Sequence, residues 1–276
     1  MTVIRLVGGL GNQLFQLAGA LTVREQEGFK VTLDASWFNG DQGVDTPRVL
    51  EMAELSTGVP IRHFPKSITK LAYSRHNPRL LKESGDDDVL MSGAVSRRSW
   101  LQGYFQFAKY PMALDNILAP MIRRRLLMAP RIASRNDLAV HVRLGDYYHN
   151  PRTREHHGVL TPEYFARCIE LMGTDRWSRI VVFTDSEDVF RAEFAHAFPK
   201  NWVLAPSRNA WDTIGAMASC GGVIMSNSSL SWWGSFMSAR LGDGYLPRTI
   251  APRPWFRNHS SADSRLLVPS WDVVDR

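Results

Sequence analysis

The chain has 276 residues but only two cysteines, Cys168 and Cys220, far apart and outside any C-x-x-C pair. That spacing excludes a disulfide framework and a cysteine zinc site, and a reducing cytoplasm fits it. No apolar run approaches the ~20 residues of a membrane span, so any membrane contact is expected to be peripheral. A signal-peptide h-region is also missing, because a strand begins within the first three residues. The chain has no internal repeat and no low-complexity tract. Solenoid and tail-like architectures are thereby set aside.

What remains is a soluble globular composition, 44% hydrophobic and 22% charged. The length suits one large domain or two of about 130 residues each. The net charge of +6 is unevenly spread. Residues 1–136 hold 18 Lys/Arg against 12 Asp/Glu, and residues 137–276 hold 15 of each. The first half therefore either meets something acidic (a membrane surface, an anionic glycan, nucleic acid) or is a solvated basic surface.

Two α/β blocks can be read. The first opens with the strand Val3–Val7, a glycine turn (Gly8, Gly9, Gly11), an apolar helix from about Asn12 to Glu27, and a second strand, Val31–Asp34. From Ala35 to Trp100 the pattern weakens, and residues 129–136 read as a linker. The second block has a strand over 138–144, a polar loop, and a helix starting at Thr161-Pro162, with threonine as N-cap and proline at N1. Strand Ile180–Thr184 follows, then a helix capped by Ser186, a short strand at Trp202–Leu204 and a helix from about Asp212. Strand Gly222–Met225 runs into Ser226-Asn227-Ser228-Ser229 and an apolar helix. Strands alternating with helices predict parallel, doubly wound sheets.

Ligands of such sheets sit beyond the carboxyl ends of the strands. Three polar motifs of the second block fall there: Arg143-Leu144-Gly145-Asp146, Thr184-Asp185-Ser186, and Ser226 to Ser229. Ser228 and Ser229 stand where a strand hands over to a helix, so they either cap it or help form an anion site. Arg143 on a neighbouring strand end favours the anion, since a guanidinium facing a helix N-terminus is unfavourable unless an anion lies between them. A phosphate gripped in bidentate fashion fits. Asp185 reads either as a helix cap or as a carboxylate accepting from N1–H and N2–H of guanine. His141 shares the face of Arg143 on a period of two. It either lines a nucleotide pocket or is a hydrogen-bonded core histidine.

Gly8-Gly9-Leu10-Gly11-Asn12-Gln13, with Asp34 about 20 residues on, partly matches a dinucleotide fingerprint, but Leu14 stands where the third glycine belongs. Asp86-Asp87-Asp88 contains an Asp-x-Asp, yet Lys-Glu-Ser-Gly precedes it, and an acidic loop is the better reading. Arg123-Arg124-Arg125 reads as an exposed helix face, with membrane contact as the alternative.

With these residues in hand, the sequence resembles the inverting α1,2-fucosyltransferases, especially their bacterial members. The matching stretches run from Gly8 to Gln16, over Asp34-Ala35-Ser36-Trp37-Phe38, Gly103 to Gln106, and His141 to Tyr147. They continue over His157-Gly158, Tyr164-Phe165, Phe183 to Ser186, Ser226 to Gly234, Ala251-Pro252 and Trp255-Phe256. Many members carry a second arginine where Leu144 stands here; alternation turns residue 144 away from Arg143.

The resemblance implies an α/β, GT-B-like fold of two facing Rossmann-like domains with parallel sheets, divided as residues 1–130 on the acceptor side and 131–276 for GDP-fucose. It implies inverting transfer of L-fucose from GDP-fucose to the 2-hydroxyl of a galactose-type acceptor, on an oligosaccharide or lipid-linked glycan, without metal or other cofactor. Arg143 would bind the β-phosphate with Ser228, Ser229, Gly11 and Asn12, while His141 and Asp185 would hold guanine or ribose. His157, on the polar loop from Tyr147 to Leu160, would be the base, with Asp146 or no base at all as the alternatives, and Trp37 and Phe38 would meet the acceptor. The chain is then expected in the cytoplasm, with peripheral contact at the inner face of the membrane. Two rival readings remain: a nucleotide-dependent oxidoreductase built on the first glycine turn, and a non-catalytic basic nucleic-acid-binding module.

Overall fold

The computed structural model describes residues 1–43, 47–84, 87–206, 209–242, 244–257 and 263–276. The chain divides into two compact units, Met1–Met121 and Ile122–Arg276. Each is built on a sheet whose described strand pairs are all parallel.

In the first unit the strands are β1 (Thr2–Arg5), β2 (Val31–Asp34), β3 (Ile61–Arg62), β4 (Leu80–Lys82) and β5 (Trp100–Gln102), in the order β3-β2-β1-β5-β4. The helices are α1 (Leu10–Glu27), α2 (Lys66–Ala72), α3 (Lys109–Ala113) and α4 (Asp115–Leu126), the last running across the division between units. Helix α1 is buried over most of its circumference, from Leu10 to Val23. It ends at Gly28, whose φ of +63° is the left-handed cap glycine adopts without a Cβ penalty. Strands β3 and β4 fall in the stretch where the sequence pattern fades. Two or three residues cannot display a period of two.

The second unit holds β6 (Asp137–Val142), β7 (Arg179–Thr184), β8 (Trp202–Leu204), β9 (Gly222–Ile224), β10 (Arg248–Arg253) and β11 (Asp272–Asp275). Their order is β11-β10-β9-β6-β7-β8. Its helices are α5 (Gly145–His149), α6 (Pro151–His157), α7 (Pro162–Met172), α8 (Glu187–Val189), α9 (Ala210–Ser219), α10 (Ser229–Ser238) and α11 (Asp263–Leu266). Strand β6 is central and buried along its whole length. Leu138, Val140, Val142 and Leu144 pack into one core with Tyr164, Phe165, Cys168 and Ile169 of α7. Leu144 thus faces away from Arg143, as alternation requires.

Thr161 caps α7 as expected, its hydroxyl accepting from the Tyr164 amide at 3.3 Å ahead of Pro162. Two expectations need correction. The stretch after Arg143 is not a polar loop but two short helices, α5 and α6. Asn150-Pro151 starts α6 as cap and N1 pair, with the Asn150 side-chain Oδ1 accepting from the Thr153 amide. Ser186 makes no cap bond; its amide instead donates to the Thr184 hydroxyl at 3.2 Å, and α8 is a single turn. Residues 129–136 are irregular but fastened to the second unit, where Arg135 donates to the carbonyls of Ala218, Cys220 and Ser238.

Candidate functional site

The three polar motifs of the second unit lie at the carboxyl ends of the neighbouring strands β9, β6 and β7 and are wired together there. The Ser226 hydroxyl accepts from the Arg143 amide at 2.9 Å and donates to the His141 carbonyl, tying the end of β9 to that of β6. From this anchored backbone Arg143 extends its guanidinium between two carboxylates. Nη2 meets Asp146 Oδ1 at 2.6 Å and Nη1 meets Asp185 Oδ2 at 2.8 Å. The arginine side chain is only 18% exposed. Burial opposes its charge, but Asp185 and Asp146 outweigh that and hold it firmly protonated.

Asp185 has further duties. Its Oδ1 accepts from the amides of Leu144 (2.8 Å) and Gly145 (3.1 Å), which begin α5. It therefore caps a helix, though the one after the neighbouring strand rather than its own. Gly145 is required beside it, since an added Cβ would run into the Asp185 carboxylate. Both oxygens of the residue expected to read guanine are thus engaged within the protein.

The Arg143 guanidinium lies 5.4 Å from the centre of the Tyr147 ring, and that ring stacks on His157 at 4.4 Å and 13°. His157 is therefore brought beside Arg143, layered through Tyr147. Its carbonyl accepts from Asn227 Nδ2 (2.8 Å) and from Arg276 (2.7 Å), and Gly158 follows at φ +67° with the Arg276 guanidinium against it. Among the described residues the buried Nδ1 of His157 has no hydrogen-bond partner. Burial and the adjacent His156 push its pKa down to about 4, with Asp146 pulling the other way. His141 is 4% exposed, and its Nδ1 likewise has no partner among the described residues. Burial first, then Arg143, lowers its pKa to about 4 against the pull of Asp185.

Ser228 is the N-cap of α10, accepting from the Leu230 amide at 3.3 Å, whereas Ser229, the first helical residue, is half-buried with no hydroxyl partner among the described residues. Trp232 and Trp233 are fully buried beneath them. Sequence reasoning passed over Ser226 and Asn227 as individuals. Asn227 Nδ2 joins the His157 turn to the Trp255 carbonyl, so the Ser-Asn-Ser stretch fastens three segments at once. No local signal marked it: Asn227 is 2% exposed only once the chain is folded, and there its amide must find partners.

Four expected site residues lie in the first unit. Gly11 and Asn12 open α1 behind Gly8, whose φ of +80° brings the backbone under the Asn12 side chain; Asn12 Oδ1 accepts from Gln106 at 2.9 Å. Trp37 and Phe38 follow β2 and meet edge to face at 5.2 Å. Trp37 lines a cavity of about 250 Å³ with Arg5, Asp34, His63, Lys66 and Thr69. Asp34, the residue a dinucleotide ribose would need, is fully buried and accepts from the Ser36 amide and the Tyr73 hydroxyl. That occupancy removes the support of the oxidoreductase reading.

No group of three His, Cys, Asp or Glu side chains among the described residues could hold a metal ion. Asp86 lies outside those residues, and Asp88 is engaged by Tyr110 and Lys109. No helix among them is long and apolar enough to cross a membrane.

Comparison with known proteins identifies the family. The family description "Glycosyl transferase family 11" matches residues 78–262, about two thirds of the chain. The O-antigen biosynthesis glycosyltransferase WbnK of Escherichia coli is 26% identical over 96% of this chain and 98% of its own length. An alpha-1,2-colitosyltransferase of Escherichia coli is 26% identical over 100% and 99%. Among solved structures, the fucosyltransferase NodZ from Bradyrhizobium is 16% identical, covering 84% of this chain and 92% of that one with a TM-score of 0.46. POFUT1 in complex with GDP-fucose is 10% identical, with coverages of 90% and 96% and a TM-score of 0.49. The chain belongs to glycosyl transferase family 11.

Proposed function

We propose that the protein transfers L-fucose from GDP-fucose to the 2-hydroxyl of a galactose-type acceptor, with inversion and without a metal ion. The observation that carries this reading is Arg143, a half-buried guanidinium at a strand end held by two carboxylates, its backbone amide bonded to Ser226 just ahead of α10. Its fork exchanges one carboxylate for the β-phosphate of the donor, while Asp185 keeps its hold on the amides of Leu144 and Gly145. As the sugar–phosphate bond breaks, charge gathers on that phosphate, and a preorganised donor aimed at it stabilises the transition state more than the ground state. The cation that many transferases recruit as a metal is here supplied by the chain and by the helix N-terminus.

His157 receives the proton of the attacking hydroxyl. Burial and the adjacent His156 hold it neutral at physiological pH, the form a base needs. Its weak basicity suits a dissociative reaction, in which the hydroxyl becomes acidic only after the bond to GDP has largely broken. Trp37 and Phe38 are the acceptor-side aromatics in this account. The relative named as an alpha-1,2-colitosyltransferase favours one second reading, in which the same site takes a colitosyl donor. Turnover of GDP-fucose with galactose-terminated glycans in excess EDTA tests the proposal. Activity is expected to persist, and complete loss restored by manganese would overturn the metal-free assignment.

A further inference from the structure

The net charge of the chain is concentrated in one stretch that the donor chemistry does not use. From Leu55 to Lys82 stand Arg62, Lys66, Lys70, Arg75, Arg79 and Lys82, with no Asp or Glu among them. That is the whole +6 of the chain, and the remainder of residues 1–136 is balanced, 12 Lys/Arg against 12 Asp/Glu. The stretch carries the chain from β3 to β4, the two edge strands of the first sheet. All six cationic side chains are exposed, and none forms an ion pair among the described residues.

Helix α2 lies in the middle of this stretch and buries only Ala72. A surface helix ordinarily turns its apolar stripe inward. Here Ile68 is 44% and Leu71 73% exposed. Three residues apart, they are neighbours on one face of the helix, interleaved in sequence with Lys66 and Lys70. The helix is fastened at its carboxyl end. The Tyr73 hydroxyl donates to the buried Asp34 at 2.7 Å, and the Tyr73 ring meets Trp100 edge-on and carries the Arg5 guanidinium at 4.4 Å. Asn77 donates to the Ala72 carbonyl at 2.6 Å. A lone exposed apolar residue is ordinary. An anchored apolar pair among unpaired cations is a surface of defined chemistry.

Charge complementarity decides what covers it. A second copy of the same surface would bring like charges together. A nucleic acid or soluble polyanion would satisfy the cations but offer nothing to Ile68 and Leu71. An anionic bilayer serves both, with phosphates at headgroup level and hydrocarbon just beneath. We propose that α2 is a docking surface for an anionic lipid bilayer, with Ile68 and Leu71 inserted at the headgroup–acyl boundary and Arg62, Lys66, Lys70 and Arg75 on the lipid phosphates. Lys66 and Thr69 also line the cavity beside Trp37, whose carboxylates, Asp34 and Asp41, accept from backbone amides. The lipid surface thus adjoins that cavity, yet its binding is independent of the transfer reading and is measured without donor.

The full chain is sedimented with vesicles of phosphatidylcholine alone and with vesicles of two parts phosphatidylcholine to one part phosphatidylglycerol. Binding is expected to the mixed vesicles only, weakening as salt rises. Ile68→Ser combined with Leu71→Ser should lower it about tenfold or more, with the melting temperature unchanged because both side chains already face water. Lys70→Gln combined with Arg75→Gln should lower it about fivefold per charge removed. A wild type that ignores the mixed vesicles, or an Ile68→Ser/Leu71→Ser variant that binds them as tightly as wild type, would overturn the proposal. Binding of heparin or duplex DNA in place of vesicles would also overturn it and give the surface to a soluble polyanion.

Discussion

Replacing Arg143 with lysine separates charge from geometry at the centre of the proposed mechanism. Arg143 uses two different nitrogens for its ion pairs, at 2.6 Å to Asp146 and 2.8 Å to Asp185. Lysine carries the same charge on one compact nitrogen at the end of a flexible stem. It can pair with one carboxylate at a time and meets a phosphate as a point charge, so the leaving group loses its bidentate partner. Loss of such a donor is worth about 3–4 kcal/mol, a fall in kcat of a few hundredfold. The fold should survive, because a cation still stands between Asp146 and Asp185. Arg143→Ala removes that cation and is expected to lower the melting temperature as well as turnover. Initial-rate measurement of GDP release at saturating donor and acceptor, alongside thermal melting, reads both. A lysine variant with near-normal kcat would refute the reasoning, since charge alone would then suffice.

Three further outcomes follow from the same geometry. His157→Ala should lower transfer by ~10²–10⁴ fold and leave GDP affinity and slow hydrolysis of GDP-fucose nearly unchanged; if transfer and hydrolysis fall together, His157 is not the base. In the folded chain His141 and His157 are held at about 4, below the ordinary histidine value of 6.5. The unfolded chain therefore binds more protons in that window, so stability is full above it and is lost as pH falls from 6.5 towards 4. Thermal melting against pH should show this decline, and transfer should lack an acid limb near 6.5; a limb there would contradict the neutral-histidine assignment. Asp185→Ala should weaken GDP and pyrophosphate by the same factor in competition assays, because its oxygens hold Arg143 and α5; a loss confined to GDP would return it to guanine recognition.

Much of the layout around Arg143 was legible in the sequence because β6 is long enough to show its period. Val140 and Val142 pack towards α7, and His141 and Arg143 share the other face. The Thr161-Pro162 start of α7 was legible for a similar reason, since cap chemistry is local. Strands β3 and β4 were not, because their place is set by neighbours rather than by pattern. The Asn150-Pro151 start of α6 carried a local signal that the surrounding polar residues masked. Asp185 was legible as a strand-end carboxylate, but its partners come from residues 40 positions earlier, and such long-range hydrogen bonds leave no mark in one sequence. The same holds for Glu83, whose bonds to Tyr104 and Phe105 turn an ordinary acidic residue into the brace of the turn after β5.

The most direct test of the central claim is the product itself. The full chain is incubated with GDP-fucose and a panel of galactose-terminated glycans, and the linkage and anomeric configuration of any product are read by NMR. The account requires fucose α-linked to O2 of galactose, formed with inversion of the donor. Transfer to another hydroxyl, a retained configuration, or transfer from a colitosyl donor while GDP-fucose is left untouched would contradict it.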